Sequence, residues 1–310
     1  MSVWRVSWAA FAFLSGVAAA GADTDCASDA GVVLQVLGSG GPIADDGRAS
    51  SGYVVWHDGR SRVLIDAGGG TFLRFGEAGA SFAELDVVGL SHLHTDHSAD
   101  FPALLKSGYF SDRTRALTVV GPGRSEPFPG VAEYLDRILD PRTGAYRYLS
   151  DYLAGGDAGV TLVVHEAGSD ANGAETVFEA PGGSLTVDAL PVPHGIVPAL
   201  GFRVRVGGKT IVFGSDQNGS DDRFVDFARD ADVLVMHMVV PEGVTGPASR
   251  LHAEPSRIGG IAQAAGAKTL LLSHLMARSL RDLDANVGRV RARFDGSTIV
   301  ARDLACVPLP

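Results

Sequence analysis

Short apolar runs rich in β-branched residues, each closed by glycine, proline or a polar residue, set the rhythm of this chain. Gly31 to Leu37 is such a run and predicts a strand. Tyr53 to Trp56 and Arg62 to Ile65 flank His57-Asp58-Gly59-Arg60, a turn sequence that predicts a hairpin. Asp66-Ala67-Gly68-Gly69-Gly70 ends the second of these strands and leads toward a helix. Val87 to Leu90, Leu117 to Val120, Thr161 to His165 and Leu185 to Pro191 predict further strands, with Gly121-Pro122-Gly123 closing the one that starts at Leu117. Gly207-Gly208 joins Gly201–Val206 to Lys209–Phe213 as another hairpin. Val233 to Met236 and Thr269 to Leu272 follow, and Thr298 to Val300 is the last predicted strand.

Helical spacing interrupts the strands at a few places. Ala99 to Lys106 predicts one helix, and Val131 to Leu139 another, with Leu135, Ile138 and Leu139 on one face. Asp222 to Ala228 is short; Pro255 to Ala265 carries proline in its first turn, where the missing N–H is not needed. Thr143 to Gly159 fits neither period and predicts a loop or a lid over a pocket. Strand-rich early and late halves with interspersed helices predict two packed sheets covered by helices, in one domain. A length of 310 residues, 45% of them hydrophobic, suffices for such a core.

The first residues follow a different logic. One arginine precedes the apolar stretch Val6 to Ala20, and Ala20-Gly21-Ala22 fits a small-residue cleavage site. Residues 1–22 are therefore expected to be a signal peptide, 23–310 the working domain, and the product periplasmic or secreted. The stretch is short for a membrane span, so no membrane association is expected after removal. The chain holds two cysteines, Cys26 and Cys306, at opposite ends of the mature part. In an oxidising compartment they are expected to form one bridge.

Candidate chemistry concentrates in His92-Leu93-His94-Thr95-Asp96-His97, directly after the run Val87 to Leu90. A strand ending there fans three imidazoles and a carboxylate around one point, a ligand mix that suits Zn²⁺, with Mn²⁺ or Fe²⁺ as alternatives. His194 follows Leu190-Pro191-Val192-Pro193, Asp216 ends Phe213-Gly214-Ser215-Asp216, and His274 follows Leu270-Leu271-Leu272-Ser273. Each is a polar residue at the tip of an apolar run, where loops assemble active sites. Taken singly, each is more often a satisfied polar residue; together they outline a metal site. His57 in its turn and His165 at a strand end read as structural.

These residues resemble the metallo-β-lactamase superfamily, and within it the ribonuclease Z and arylsulfatase-like branch. The resemblance rests on Leu37-Gly38-Ser39-Gly40-Gly41, Asp66-Ala67-Gly68, the histidine cluster, Val192-Pro193-His194, Gly201-Phe202-Arg203, Gly214-Ser215-Asp216 and Leu272-Ser273-His274. It implies an α/β fold, an αββα sandwich of two mixed β-sheets flanked by helices, with two metals between the sheets. It further implies that His92, His94 and His194 hold one Zn²⁺, that Asp96, His97 and His274 hold a second, and that Asp216 bridges them. Asp96 doubles as a candidate proton acceptor. His252, before Ala253-Glu254-Pro255, resembles the histidine that faces the scissile group and donates a proton or stabilises charge. The branch orients that histidine with an acid; here Val235-Met236-His237-Met238 puts Met238 in the acid's place, leaving Glu242 as its substitute or His237 to act itself. Asp66 is a candidate for orienting a metal-binding histidine.

The implied activity is hydrolysis by a metal-bridging hydroxide. A bridging Asp216 argues against a β-lactamase. A formal net charge of −10 and the lack of a basic arm argue against a nucleic acid partner. The expected substrate is thus a small-molecule ester, phosphodiester first, aryl sulfate or lactone next; a homodimer stays open. The alternative from another class is a non-catalytic metal-binding or sensor protein on the same fold.

Overall fold

The computed structural model describes residue 26 and residues 31–155, 160–168 and 173–309. The expected signal peptide, residues 1–22, lies outside the described residues. Two seven-stranded sheets carry the fold. The first contains β1 (Val32–Gly38), β2 (Gly52–His57), β3 (Arg60–Ile65), β4 (Val87–Gly89), β5 (Leu117–Pro122) and β6 (Leu162–Ala167), with β14 (Cys306–Pro308) added beside β1. The second contains β7 (Glu175–Glu179), β8 (Leu185–His194), β9 (Val197–Val206), β10 (Lys209–Phe213), β11 (Val233–His237), β12 (Thr269–Ser273) and β13 (Ser297–Val300), paired in chain order. Both sheets are mixed: β1, β2 and β3 meander, then β3 to β6 run parallel. Likewise β7 to β10 meander, then β10 to β13 run parallel.

The period of two explains the layering. Leu34, Val36, Val55, Val63 and Ile65 point inward from the first sheet and meet Val187, Phe202, Val204, Phe213 and Val235 from the second. Their sequence neighbours Val33, Val54, Trp56, Leu64 and Val88 face outward and are covered by α1 (Thr71–Glu77), α3 (Phe101–Gly108) and α4 (Val131–Leu139). The second sheet's outer face, with Val212, Leu234, Met236, Leu270 and Leu272, is covered by α6 (Arg223–Phe227), α8 (Pro255–Ala265) and α10 (Leu283–Arg291). Strands buried on both faces read as continuous apolar runs, as this sequence does. The short helices α2 (Thr95–Ser98), α5 (Asp151–Ala154), α7 (Pro247–Leu251) and α9 (Ala277–Leu280) lie in connections.

Both predicted hairpins form. Asp58 (φ 50°) and Gly59 (φ 72°) turn β2 into β3, and Gly207 (φ 56°) and Gly208 (φ 74°) turn β9 into β10; positive φ at both central positions matches the right-handed twist of the flanking strands. The bridge between Cys26 and Cys306 is also formed, with Cα atoms 5.6 Å apart. Among the described residues no helix is long and apolar enough to cross a membrane.

The structure departs from the sequence reading at four places. β5 does not close at Gly121; it continues through Pro122, pairing Gly121 with Glu166 and Pro122 with Ala167. β7 carries a single buried residue, Val177, so its edge position left no apolar run to read. β13 is not the last strand, because β14 returns to pair with β1. Residues 143–155 do not form a lid. Leu149 and Tyr152 are buried against the outer face of the first sheet, and the Tyr152 hydroxyl donates to the Leu105 carbonyl of α3 at 2.7 Å. The apolar positions of this segment are held by tertiary contact, not by a local period.

Candidate metal centre

Strand direction gathers the site. β8, β10, β11 and β12 run the same way, so His194, Asp216, His237 and His274 leave the second sheet at one edge. The first sheet's β3 and β4 are parallel, so Asp66 and Ser91-His92 also emerge side by side. Seven of the chain's nine histidines meet there: His92, His94, His97, His194, His237, His252 and His274, with Asp96 and Asp216 among them. His57 and His165 lie elsewhere, at the end of β2 and on β6, where His165 Nε2 is 3.4 Å from Glu175 of β7.

The loops are built for close approach. Asp66 (φ 60°), Ser215 (φ 57°) and His274 (φ 51°) are non-glycine residues in the left-handed region, an unfavourable backbone that the surrounding contacts impose and that clusters at functional sites. A methyl group on Gly41 would come within 2.8 Å of His274 Cε1, and one on Gly68 within 2.0 Å of the Asp96 carbonyl oxygen. These contacts explain Gly41 and Gly68 as space for the site, while Gly38 and Gly40 make room for the backbone and Cβ of residues 48–50.

The donor atoms form two groups that meet at one carboxylate. His92, His94 and His194 bring one nitrogen each within 4.8 Å of one another, and Asp96, His97 and His274 do the same. His92 Nε2 is 2.9 Å from His94 Nδ1, and His97 Nε2 is 3.1 Å from His274 Nε2. Asp216 Oδ2 stands 3.8 Å from His194 Nε2 and 3.8 Å from His97 Nε2, one member of each group. Surrounding atoms fix the rings. Asp66 Oδ2 is 2.7 Å from His97 Nδ1, while Oδ1 accepts the Ser91 N–H at 2.8 Å. His194 Nδ1 meets the Leu251 carbonyl at 3.0 Å. Asp66 therefore sits where the sequence reading placed it, behind a histidine of the cluster.

Ionisation follows from burial against charge. Burial alone would raise the Asp216 carboxyl, but His274, His237, His252 and His97 outweigh it and hold it well below the usual range. Asp96 is likewise held at about 2, burial being overcome by His274 and His97. Burial pushes His92 well down, His237 to about 4 and His252 to about 3. Burial opposes charge on His97 too, yet Asp66, with help from Asp216 and Asp96, lifts it to about 9.

These residues fit a metal. Bare imidazole nitrogens face each other at about 3 Å in a buried space, and His194 Nε2 and His252 Nδ1, each 3.8 Å from Asp216 Oδ2, are buried without a hydrogen-bond partner. Buried polar atoms are normally satisfied, so a convergent set of orphans with carboxylates in reach marks a cation site. Nitrogen and oxygen donors of this kind suit Zn²⁺. Above the cluster opens a cleft of about 480 Å³, walled by Leu93, Val239, Leu251, His252, Met276 and Arg278. A cleft of about 540 Å³ over α6 and α8 contains none of the clustered histidines, so volume alone does not find the site.

His252 lies in the cleft wall with Nδ1 3.8 Å from Asp216 Oδ2. Glu242 does not substitute for the missing acid. Met238 is fully buried in the apolar layer of the second sheet, and Glu242 accepts from the Ser256 N–H at 2.9 Å at the start of α8. His237 faces Asp216 rather than the cleft. Sequence reasoning missed Arg278, whose Nε donates to the Val239 carbonyl at 3.1 Å at the cleft wall. Its place four residues after His274 was the available signal. It also missed Tyr53, which the sequence offers only as a strand aromatic.

Comparison with known proteins agrees with this geometry. A family model described as beta-lactamase superfamily domain matches residues 61–275, from β3 to just past His274. A ribonuclease Z of Mycobacterium marinum is 28% identical over 254 residues, covering 78% of this chain and 86% of that protein. Among solved structures, the short form of human tRNase Z superposes with a TM-score of 0.69 at 20% identity, over 90% of this chain and 99% of that one. The metallo-beta-lactamase fold protein YhfI from Bacillus subtilis superposes with a TM-score of 0.66 at 22% identity, over 89% and 98%.

The ribonuclease relatives overturn one expectation, that of a small-molecule ester substrate with nucleic acid disfavoured. A formal charge of −10 sums over the whole surface and says little about the cleft, where local groups set the potential and Arg278 brings a positive charge. The family match spans two thirds of the chain and takes in every candidate ligand, and with the gathered histidines and aspartates it places the chain in the beta-lactamase superfamily.

Proposed function

We propose that this protein is a ribonuclease Z-like phosphodiesterase that hydrolyses a phosphodiester bond of RNA with two metal ions, zinc in the first instance. The observation that carries the reading is Asp216 Oδ2, equidistant at 3.8 Å from a histidine of each donor group. His92, His94 and His194 would hold one ion, Asp96, His97 and His274 the other, with Asp216 between them. A metal pair so held supplies an activated water and polarises the scissile phosphoryl oxygen.

The chain's own residues then divide the remaining work. Asp96, held ionised, is the proton acceptor beside the nucleophile. His252 sits in the cleft wall and is held neutral by burial, so it offers an N–H to the leaving oxygen. Arg278 lines the same wall and brings a positive charge to an anionic backbone. The apolar wall of Leu93, Val239, Leu251 and Met276 limits water around the reacting bond.

The test is cleavage of a tRNA-class RNA, a single-stranded RNA and a DNA of matched length by zinc-loaded and manganese-loaded protein, with metal content measured alongside. Metal-dependent cleavage of RNA with about two metals per chain is expected. Turnover of DNA alone, or full activity at one metal per chain, overturns the proposal.

A further inference from the structure

His237 is a buried histidine that the two donor groups do not use. It ends β11, is 4% exposed, and does not line the cleft. Its Nδ1 lies 2.7 Å from Asp216 Oδ1. Its Nε2 lies 3.2 Å from the Tyr53 hydroxyl, which in turn lies 2.8 Å from Ser273 Oγ. Tyr53 comes from β2 of the opposite sheet and is 1% exposed; its ring also packs on Phe213, with centroids 5.5 Å apart. The line of contacts therefore crosses the sandwich, from the Ser273 and Tyr53 hydroxyls through the imidazole to the carboxylate.

We infer that His237 is a positioning residue: it binds Asp216 Oδ1 and so leaves Oδ2 as the oxygen presented to both donor groups, with Tyr53 holding the ring in register. The distances separate the two oxygens. Oδ2 is 3.8 Å from His97, His194 and His252, facing the middle of the cluster. Oδ1 also reaches within 3.7 Å of His274 Nε2, but its short contact is to His237. An ionised carboxylate only accepts, so Nδ1 carries the proton and donates. The remaining lone pair of a neutral ring then sits on Nε2, aimed at Tyr53 and away from the metal space. His237 is therefore not itself a metal ligand, although its nitrogen falls within ligand range of Asp216 and His274. The sequence reading in which His237 acts itself on the substrate is corrected on the same ground: the ring serves the carboxylate, not the substrate.

This inference rests on the two-metal reading, and the experiment separates the two. His237→Ala, His237→Asn and Tyr53→Phe are made in the full chain. Metal content and affinity are read by chelator competition, magnetic coupling in the cobalt-loaded protein by electron paramagnetic resonance, and folding by thermal unfolding of the metal-free form. Wild-type protein is expected to hold two coupled ions; one ion would overturn the two-metal reading itself. Given two, His237→Ala is expected to weaken the second ion by about 10- to 100-fold and to lose the coupling. Asparagine places an N–H close to the Nδ1 position and should restore most of both. Tyr53→Phe should shift affinity the same way by less than about tenfold, and it decides the matter if His237→Ala does not fold. Unchanged affinity and coupling in His237→Ala and Tyr53→Phe overturn the inference. So does an asparagine variant as impaired as alanine, since that outcome makes the ring a ligand.

Discussion

The two sheets build the same centre in different ways. The first contributes His92, His94, Asp96 and His97 from one loop after β4, six residues from end to end, with Asp66 on the neighbouring loop to hold His97. The second contributes His194, Asp216, His237, His252 and His274 from five separate connections. One half of the site is thus a local structure, and the other exists only when five strands and loops are in register. Errors in the first half should remove ligands one at a time. Errors in the second should disturb the relation between the two donor groups.

The largest effect is expected at Asp216, where the halves meet. Asp216→Ala should lose the second metal and several kcal/mol of transition-state stabilisation, a rate loss of about 10³-fold or more. Metal analysis and kcat/KM together check this, and a variant keeping two metals and near-normal rate would erase the contrast between the halves. His252→Ala should keep its metals and lose about 10²-fold in rate, because its role is toward the substrate. Metal loss in that variant instead would make it a ligand.

On the first sheet's side, Asp66→Asn should leave the ligands in place and weaken metal binding by about 10- to 100-fold. It also has a pH signature. His97 has its folded pKa raised to about 9 by Asp66, above the ordinary histidine value of 6.5. The pair's contribution in the metal-free protein is therefore fully present below pH 6.5 and is lost as pH rises from there through about 9. Thermal unfolding of metal-free protein across that window should show the loss in wild type, and a flatter profile in Asp66→Asn. A wild-type profile as flat as the variant's would detach Asp66 from His97. The smallest effect is expected at His57, in a hairpin turn remote from both halves. His57→Ala should leave metal content unchanged and shift stability by no more than about 0.5 kcal/mol, read by denaturant unfolding.

Much of the fold was legible where signals were short-range. The hairpin turns at Asp58-Gly59 and Gly207-Gly208, helix α4 and helix α8 appear where the local pattern put them, because turn chemistry and apolar spacing act within a few residues. The edge strands β7 and β14 were not legible. β14 takes its hydrogen bonds from β1 at the other end of the chain, β7 is an edge strand with one buried residue, and neither has an apolar run of its own. Residues 143–155 misled for the same reason, since Leu149 and Tyr152 are ordered by α3 and the first sheet rather than by their neighbours.

The sequence by itself determined the donor set. Histidines and aspartates at the tips of apolar runs can be counted and ranked without coordinates, because ligand chemistry belongs to the side chain. The room that Gly41 and Gly68 leave for His274 and Asp96 became visible only in the folded chain. Only the tertiary structure decided which atoms do what. It turned His237 from the substrate toward Asp216, buried Met238 in the apolar layer, engaged Glu242 with Ser256, and brought Tyr53 across the sandwich to the ring. Those outcomes depend on strand order and on which face of a strand a residue occupies. A period of two fixes the face only once the partner sheet is in place.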